Sequence, residues 1–187
     1  MHAARGTSPG PGEPDGPSPQ DRAEARSRRS RALVLFGVVA VLGYAVDLGT
    51  KTLAAARLGD RSPVHVVGGL LQLTLTRNPG AAFSTGTSYT LVLSLVAIVA
   101  AGAVLFYARR LRSRVWAVGL GLLLAGVCGN LTDRVFREPG FLRGHVVDFI
   151  ELPHWPIFNV ADMCINVAAA LIVIQAVRGV SVTGERS

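Results

Sequence analysis

The sequence predicts an all-α membrane protein: four transmembrane helices with a small extracytoplasmic β element. Three observations lead there. The apolar residues, 50% of the 187, gather in four long runs instead of spreading evenly. The basic residues crowd at the ends of those runs. One connecting stretch alternates apolar and polar residues with the period of a strand. A half-apolar composition alone also suits a globular domain, so the distribution decides the class.

Residues 1–30 are rich in Pro, Gly, Ser, Arg and acids, with little to bury, and read as a disordered cytoplasmic tail. The tail is too long and too acidic for an ordinary signal-peptide n-region, and no small-residue cleavage site follows the first apolar run. Residues 31–178 form the membrane domain, and 179–187 a short cytoplasmic C-terminal tail. Helix one runs from about Ala32 to Leu58, helix two from Tyr89 to Ala108, helix three from Val115 to Leu131, and helix four from Phe158 to Val177. Each is near the ~20 residues of a bilayer crossing. In the first outer segment, Leu71, Leu73 and Leu75 alternate with Gln72, Thr74 and Thr76. Gly68-Gly69 and Asn78-Pro79-Gly80 mark turns at its ends. The stretch from Gly144 to Phe158, broken at Pro153-His154-Trp155-Pro156, reads as a loop descending into helix four.

Orientation follows from the arginines. Arg5, Arg22, Arg26, Arg28, Arg29 and Arg31 precede helix one; Arg109, Arg110, Arg112 and Arg114 join helices two and three; Arg178 and Arg186 follow helix four. The positive-inside rule puts all three segments, and both termini, in the cytoplasm. The net charge of +7 therefore reflects membrane orientation, and no nucleic-acid partner is expected. Cys128 and Cys164 both lie inside apolar runs, with no Cys-x-x-Cys spacing, and read as packing residues.

Four acids carry the functional signal. At 1.5 Å per residue, Asp47 lies roughly 24 Å from Arg31, Asp133 roughly 28 Å from Arg114, and Asp162 roughly 24 Å from Arg178. Three carboxylates on three helices thus reach one level in the outer part of the membrane, with Asp148 in the loop above. Ionisable groups at that depth are costly and point to function. Asp47 has Lys51 one turn away and Asp133 has Arg134 beside it, which suits a scaffold held by fixed cations. Asp148 and Asp162 have no adjacent cation and lie among apolar residues. Two such carboxyls tend to share a proton, the condition for an aspartyl pair; the spacing equally admits two structural acids.

Weaker features are His145 and His154, which lack an i, i+4 partner and read as interfacial rather than metal-binding. Trp155 and Trp116 suit aromatic belts at the outer and inner interfaces. Asn130 and Asn159 each lie three residues before an Asp, placed to bond carboxylates or a substrate backbone, or to cap helices.

Five segments together resemble the lipoprotein signal peptidases (signal peptidase II) of bacteria. They are DLGTK at Asp47–Lys51, TRNPGAAFS at Thr76–Ser84, GNLTDR at Gly129–Arg134, HVVDF at His145–Phe149 and FNVAD at Phe158–Asp162. The resemblance covers about Leu33 to Val177. It implies a metal-free aspartyl endopeptidase without cofactors in the bacterial cytoplasmic membrane, its active site near the extracytoplasmic face. Such enzymes cut lipid-modified prolipoproteins just before the diacylglyceryl cysteine. The resemblance puts the catalytic pair on Asp148 and Asp162, and supporting roles on Asp47, Lys51, Asn78, Gly80, Asn130, Asp133, Arg134, Asn159 and Ala161. It implies membrane lipids as further partners and a monomer. Two departures stand out: the Asp148–Asp162 loop looks shorter than in many members, and the N-terminal tail is longer.

The rival classes are a small proton-coupled transporter and a non-enzymatic assembly factor. A transport path needs polar groups along its whole depth, and the inner helix halves are apolar. An assembly factor would have no need of the clustered Asp, Asn and Arg.

Overall fold

A computed structural model describes residues 18–59, 62–80 and 88–186. Four helices in it are long and apolar enough to cross a membrane: α1 (Pro19–Arg57), α2 (Ser88–Ala108), α3 (Arg114–Phe136) and α4 (Val160–Val177). Strands β1 (Val64–Val67), β2 (Leu71–Asn78) and β3 (Val146–Glu151) form one antiparallel sheet in that order. Valines and leucines on the outside of α1, α2 and α4 are widely exposed, the surface that lipid covers in a bilayer.

Residues 19–30, expected in the tail, are the first turns of α1. Ser18 caps them: its hydroxyl accepts from the Asp21 N–H, and its own N–H donates back to Asp21 Oδ2 at 3.1 Å. Pro19 occupies the first turn, where its missing N–H costs nothing. Glu24 and Arg28 pair one turn apart at 2.9 Å. A helix already nucleated in the membrane extends through such residues without an apolar face of its own. The remaining tail, 1–17, lies outside the described residues.

α3 is the central helix, packed against α1, α2 and α4. Its glycines permit the close approach. A Cβ on Gly126 would strike the Ala161 carbonyl of α4, and one on Gly129 would strike the Asp47 carboxylate of α1. α3 also runs five residues past its expected end at Leu131, so Asp133, Arg134 and Phe136 are all helical.

The sequence around Asp148 was expected to be loop, but Val146–Glu151 pairs with β2, setting Thr76 opposite Asp148 and Asn78 opposite Val146. A short apolar run has no periodicity that separates strand from loop or buried helix. Pairing with the expected β2 decides it. Val147 and Phe149 then pack on Ala54 and Leu58 at the end of α1. The turn at Gly68-Gly69 joins β1 to β2 as expected.

At the opposite, basic end, Ala32, Phe36, Val104, Ala108, Leu111, Ala117 and Leu120 form a core that Val182 joins from the C-terminal segment. That segment folds back: Val182 O accepts from Arg112 N at 3.1 Å, and Trp116 Nε1 donates to Val180 O at 2.9 Å. Trp116, in the first turn of α3, is half-buried and holds the C-terminal turn. Trp155 is 65% exposed beside the sheet.

Candidate active site

The buried charges gather at the sheet end of the bundle. Lys51 of α1 is wholly buried, with Asp47 Oδ2 at 2.8 Å and Asp133 Oδ2 at 2.9 Å, and it donates to Asn130 Oδ1 at 2.9 Å. Its three ammonium hydrogens thus have three acceptors. The i, i+4 pair Asp47–Lys51 forms as the spacing predicts. Asp133, however, forms its ion pairs with Lys51 and Arg137, and none with its neighbour Arg134 among the described residues. Consecutive helical residues point apart, whereas Arg137 lies one turn on and shares the face. Sequence reading missed Arg137 because helix three was expected to end before it.

The two aspartates also tie elements together. Asp47 Oδ1 accepts from Ala161 N at 2.8 Å, satisfying a first-turn amide of α4 that has no partner within that helix. Asp133 Oδ2 accepts from Val147 N at 3.2 Å, fastening β3 to α3. Asp47 and Asp133 therefore act as braces.

Three asparagines then address Asp148 and Asp162, and each is oriented by a group that can only donate. Lys51 faces Asn130 Oδ1, so Asn130 Nδ2 turns to Asp162 Oδ1 at 2.9 Å. The Asp162 N–H donates to Asn159 Oδ1 at 3.0 Å, so Asn159 Nδ2 turns to Asp148 Oδ1 at 2.6 Å. The Gly80 N–H donates to Asn78 Oδ1 at 2.8 Å, so Asn78 Nδ2 turns to Asp148 Oδ2 at 2.9 Å. The fourth oxygen, Asp162 Oδ2, accepts from the Asn159 N–H at 3.2 Å. Asn159 is both the N-cap of α4 and the bridge between the two acids. Every carboxylate oxygen of the pair thus has a donor.

Their surroundings differ. Asp148 is 2% exposed, while Asp162 is half-buried at the start of α4. Burial pushes Asp148 up to about 6, aided by the nearby charge of Asp162; the Asn78 and Asn159 bonds oppose the shift. Arg134 donates to the Asn130 carbonyl at 3.3 Å, and its Nε is buried without a hydrogen-bond partner among the described residues. It lies within electrostatic reach of Asp162, Asp133 and Asp148.

Two further residues, missed in the sequence, hold the loops in place. Thr90 and Ser94 of α2 are buried, with Thr90 Oγ donating to Pro79 O at 2.5 Å and Ser94 Oγ 2.7 Å from Leu142 O. They anchor the ends of the segments carrying Asn78 and Asp148. Within a uniformly apolar helix only their polarity could have signalled this. Gly80 has φ +96°, a backbone conformation that residues with a side chain rarely adopt, and it packs against the end of the Leu93 side chain. The rest of its motif, Ala81 to Ser84, lies outside the described residues.

A small sheet on four membrane-spanning helices, with two hydrogen-bonded acids where they meet, defines an integral membrane protein with a carboxylate-pair site. The profile of signal peptidase (SPase) II matches residues 39–178, and the chain belongs to that family. Among its relatives is a lipoprotein signal peptidase of Leifsonia xyli subsp. xyli, 47% identical and aligned over 83% of this chain and 72% of that one. Another, of Mycobacterium avium (strain 104), is 46% identical over 90% of both chains. A solved bacterial membrane enzyme superposes with a TM-score of 0.67 at 28% identity, over 75% of this chain and 91% of that one.

Proposed function

We propose that this chain is a metal-independent aspartyl endopeptidase. In this reading it removes the signal peptide from diacylglyceryl-modified prolipoproteins, cutting just before the lipidated cysteine, with Asp148 and Asp162 as the catalytic pair. The observation that carries the reading is the donor arrangement around the pair: three asparagines of fixed polarity hold the two acids, and Asp148 is displaced to about 6. Such a pair holds one proton between its members over part of the pH range. The more buried Asp148 is the better place for it.

The chemistry then balances as general acid–base hydrolysis. Ionised Asp162 takes a proton from a water, whose oxygen attacks the scissile carbonyl carbon. Asp148 gives its proton to the carbonyl oxygen. As the tetrahedral intermediate collapses, the C–N bond breaks and the amine leaves with a proton returned by the pair. Arg134, with its unpartnered buried Nε, is a donor for the extended substrate backbone. The braces Asp47, Lys51 and Asp133 keep the asparagines in register. Both termini are cytoplasmic in this reading, the site faces the outer leaflet, and the enzyme works as a monomer. A proton-coupled transporter is less well supported, because the buried charged side chains among the described residues, Asp47, Lys51, Asp133 and Asp148, lie at one end of the bundle.

The deciding experiment incubates purified protein with a diacylated prolipoprotein peptide in the presence of a metal chelator. A single cut before the lipidated cysteine is expected. Cleavage elsewhere, or loss of cleavage with the chelator, contradicts the reading.

Two smaller predictions arise here. kcat/KM is expected to fall as pH rises through about 6, as the pair loses its shared proton. The Asn78 N–H favours the charged form of Asp148, so Asn78→Ala raises that pKa further. The upper limb of the profile should then move to higher pH, whatever happens to the maximum rate. An unmoved limb would dissociate Asp148 from the titration. Separately, Cys128→Ala and Cys164→Ala should keep cleavage within a few-fold of wild type, since both cysteines are free and sit within the membrane-spanning helices α3 and α4. Loss of cleavage in a well-inserted Cys→Ala variant counts against a thiol-free mechanism.

A further inference from the structure

At the end of the bundle opposite the aspartates, Arg29 of α1, Arg109, Arg110 and Arg112 after α2, and Thr183 of the C-terminal turn line one cavity of about 360 Å³. No acid lines it. None of these four arginines takes part in an ion pair among the described residues. The neighbouring cavity, which shares Arg112 and Thr183, contains Asp21, Glu24 and Glu185, and there Glu24 is already engaged by Arg28. Among the described residues Arg29, Arg109 and Arg110 therefore converge in this cavity without an acid lining it, which is unfavourable unless an anion joins them.

The level of the cavity identifies the anion's source. Arg109 directly follows the apolar span of α2, whose last turn carries Phe106 and Tyr107, each 54% exposed. Their rings meet edge to face at 5.8 Å, and the Arg110 guanidinium stands over Phe106 at 6.0 Å. Exposed aromatics beside arginines at the end of a span mark the depth of lipid headgroups. A phosphodiester held there would place its acyl chains along the exposed face of α2, at Leu105 and Phe106.

We propose that this cavity binds the phosphate of an anionic phospholipid from the leaflet at the basic end. The inference is independent of the peptidase reading. Arginines match phosphate oxygens by paired N–H donors, which selects a phosphate over a carboxylate lipid only by geometry but over a zwitterionic headgroup by net charge.

The test incubates the full-length protein in detergent with equal amounts of phosphatidylglycerol and phosphatidylcholine of matched acyl chains. Bound lipid is then counted by native mass spectrometry. Two triple variants are compared, each losing three positive charges: Arg29→Gln/Arg109→Gln/Arg110→Gln in the cavity, and Arg22→Gln/Arg114→Gln/Arg178→Gln outside it. Wild type and the outer triple should prefer phosphatidylglycerol, while the cavity triple should lose at least about fivefold of that preference. A matching loss of lipid-induced thermal stabilisation is expected for the cavity triple alone, and Arg109→Gln by itself should show part of it. Equal losses in both triples would mean diffuse attraction and overturn the site. So would a wild type without preference. Displacement of the lipid by inorganic phosphate at equal concentration would make it a soluble-anion site and also overturn the proposal.

Discussion

Asp148→Asn is expected to lower single-turnover cleavage by at least about 10³-fold, and Asp162→Asn by a similar factor. Asn cannot take the water's proton or give one to the carbonyl oxygen at useful cost. The hydrogen-bond network adds a second effect. Asn78 and Asn159 present N–H donors to Asp148, and the Gly80 and Asp162 amides lock them that way. An amide at position 148 must turn its own NH₂ toward one of those donors. A buried mismatch of that kind costs about 1–3 kcal/mol, so a modest fall in thermal stability should accompany the loss of activity. Position 162 faces Asn130 Nδ2 and the Asn159 N–H, and the same argument holds there. The double variant should be little worse than either single one, because the acids act as a unit. Cleavage is measured in detergent or lipid, with unfolding and binding of a lipidated peptide followed on the same preparations. Substantial turnover in Asp148→Asn, alongside a folded but inactive Asp133→Asn, would assign the pair to Asp133 and Asp162 instead. Asp148 would then be structural.

The second large effect is expected from Lys51→Met. The shape is nearly kept, but two carboxylates, each 1% exposed, lose their common cation, and Asn130 loses the donor that orients it. Removing one partner of a buried ionic cluster costs about 3–5 kcal/mol. Thermal stability should drop accordingly. Cleavage should fall as well, although Lys51 touches neither Asp148 nor Asp162 in any hydrogen bond or ion pair among the described residues. The combination Asp47→Asn/Lys51→Met/Asp133→Asn should recover part of the stability, since it removes both fully buried carboxylates together with their common cation and leaves unpaired only Arg137, whose side chain is 24% exposed, but it should not recover the activity. A Lys51→Met protein as stable as wild type would mean that the cluster is not a brace.

Much of this site was legible along single segments. The Asp47–Lys51 pair follows from helical periodicity, and the common depth of Asp47, Asp133 and Asp162 follows from the rise per residue. The alternation of Leu71 to Thr76 announced β2. These relations are fixed within one element, where backbone geometry sets the spacing. For Asn159 the sequence admits a helix cap or a bond to a carboxylate or a substrate backbone, and the structure gives it the N-cap of α4 together with both acids.

Only the tertiary structure decided how the segments face one another. It made Val146–Glu151 a strand because β2 was there to pair with it. It gave Asp133 to Lys51 and Arg137 instead of Arg134, and it turned three asparagines so that each presents an N–H to a catalytic candidate. It also brought Thr90 and Ser94 of α2 under the loops of Pro79 and Leu142. The physical reason is that a membrane helix is apolar on every side, so its sequence carries little sign of which face turns inward. That rotation is set by close packing, where Gly126 admits the Ala161 carbonyl and Gly129 admits the Asp47 carboxylate. Those contacts join residues far apart in the chain, and they exist only once all four helices have assembled.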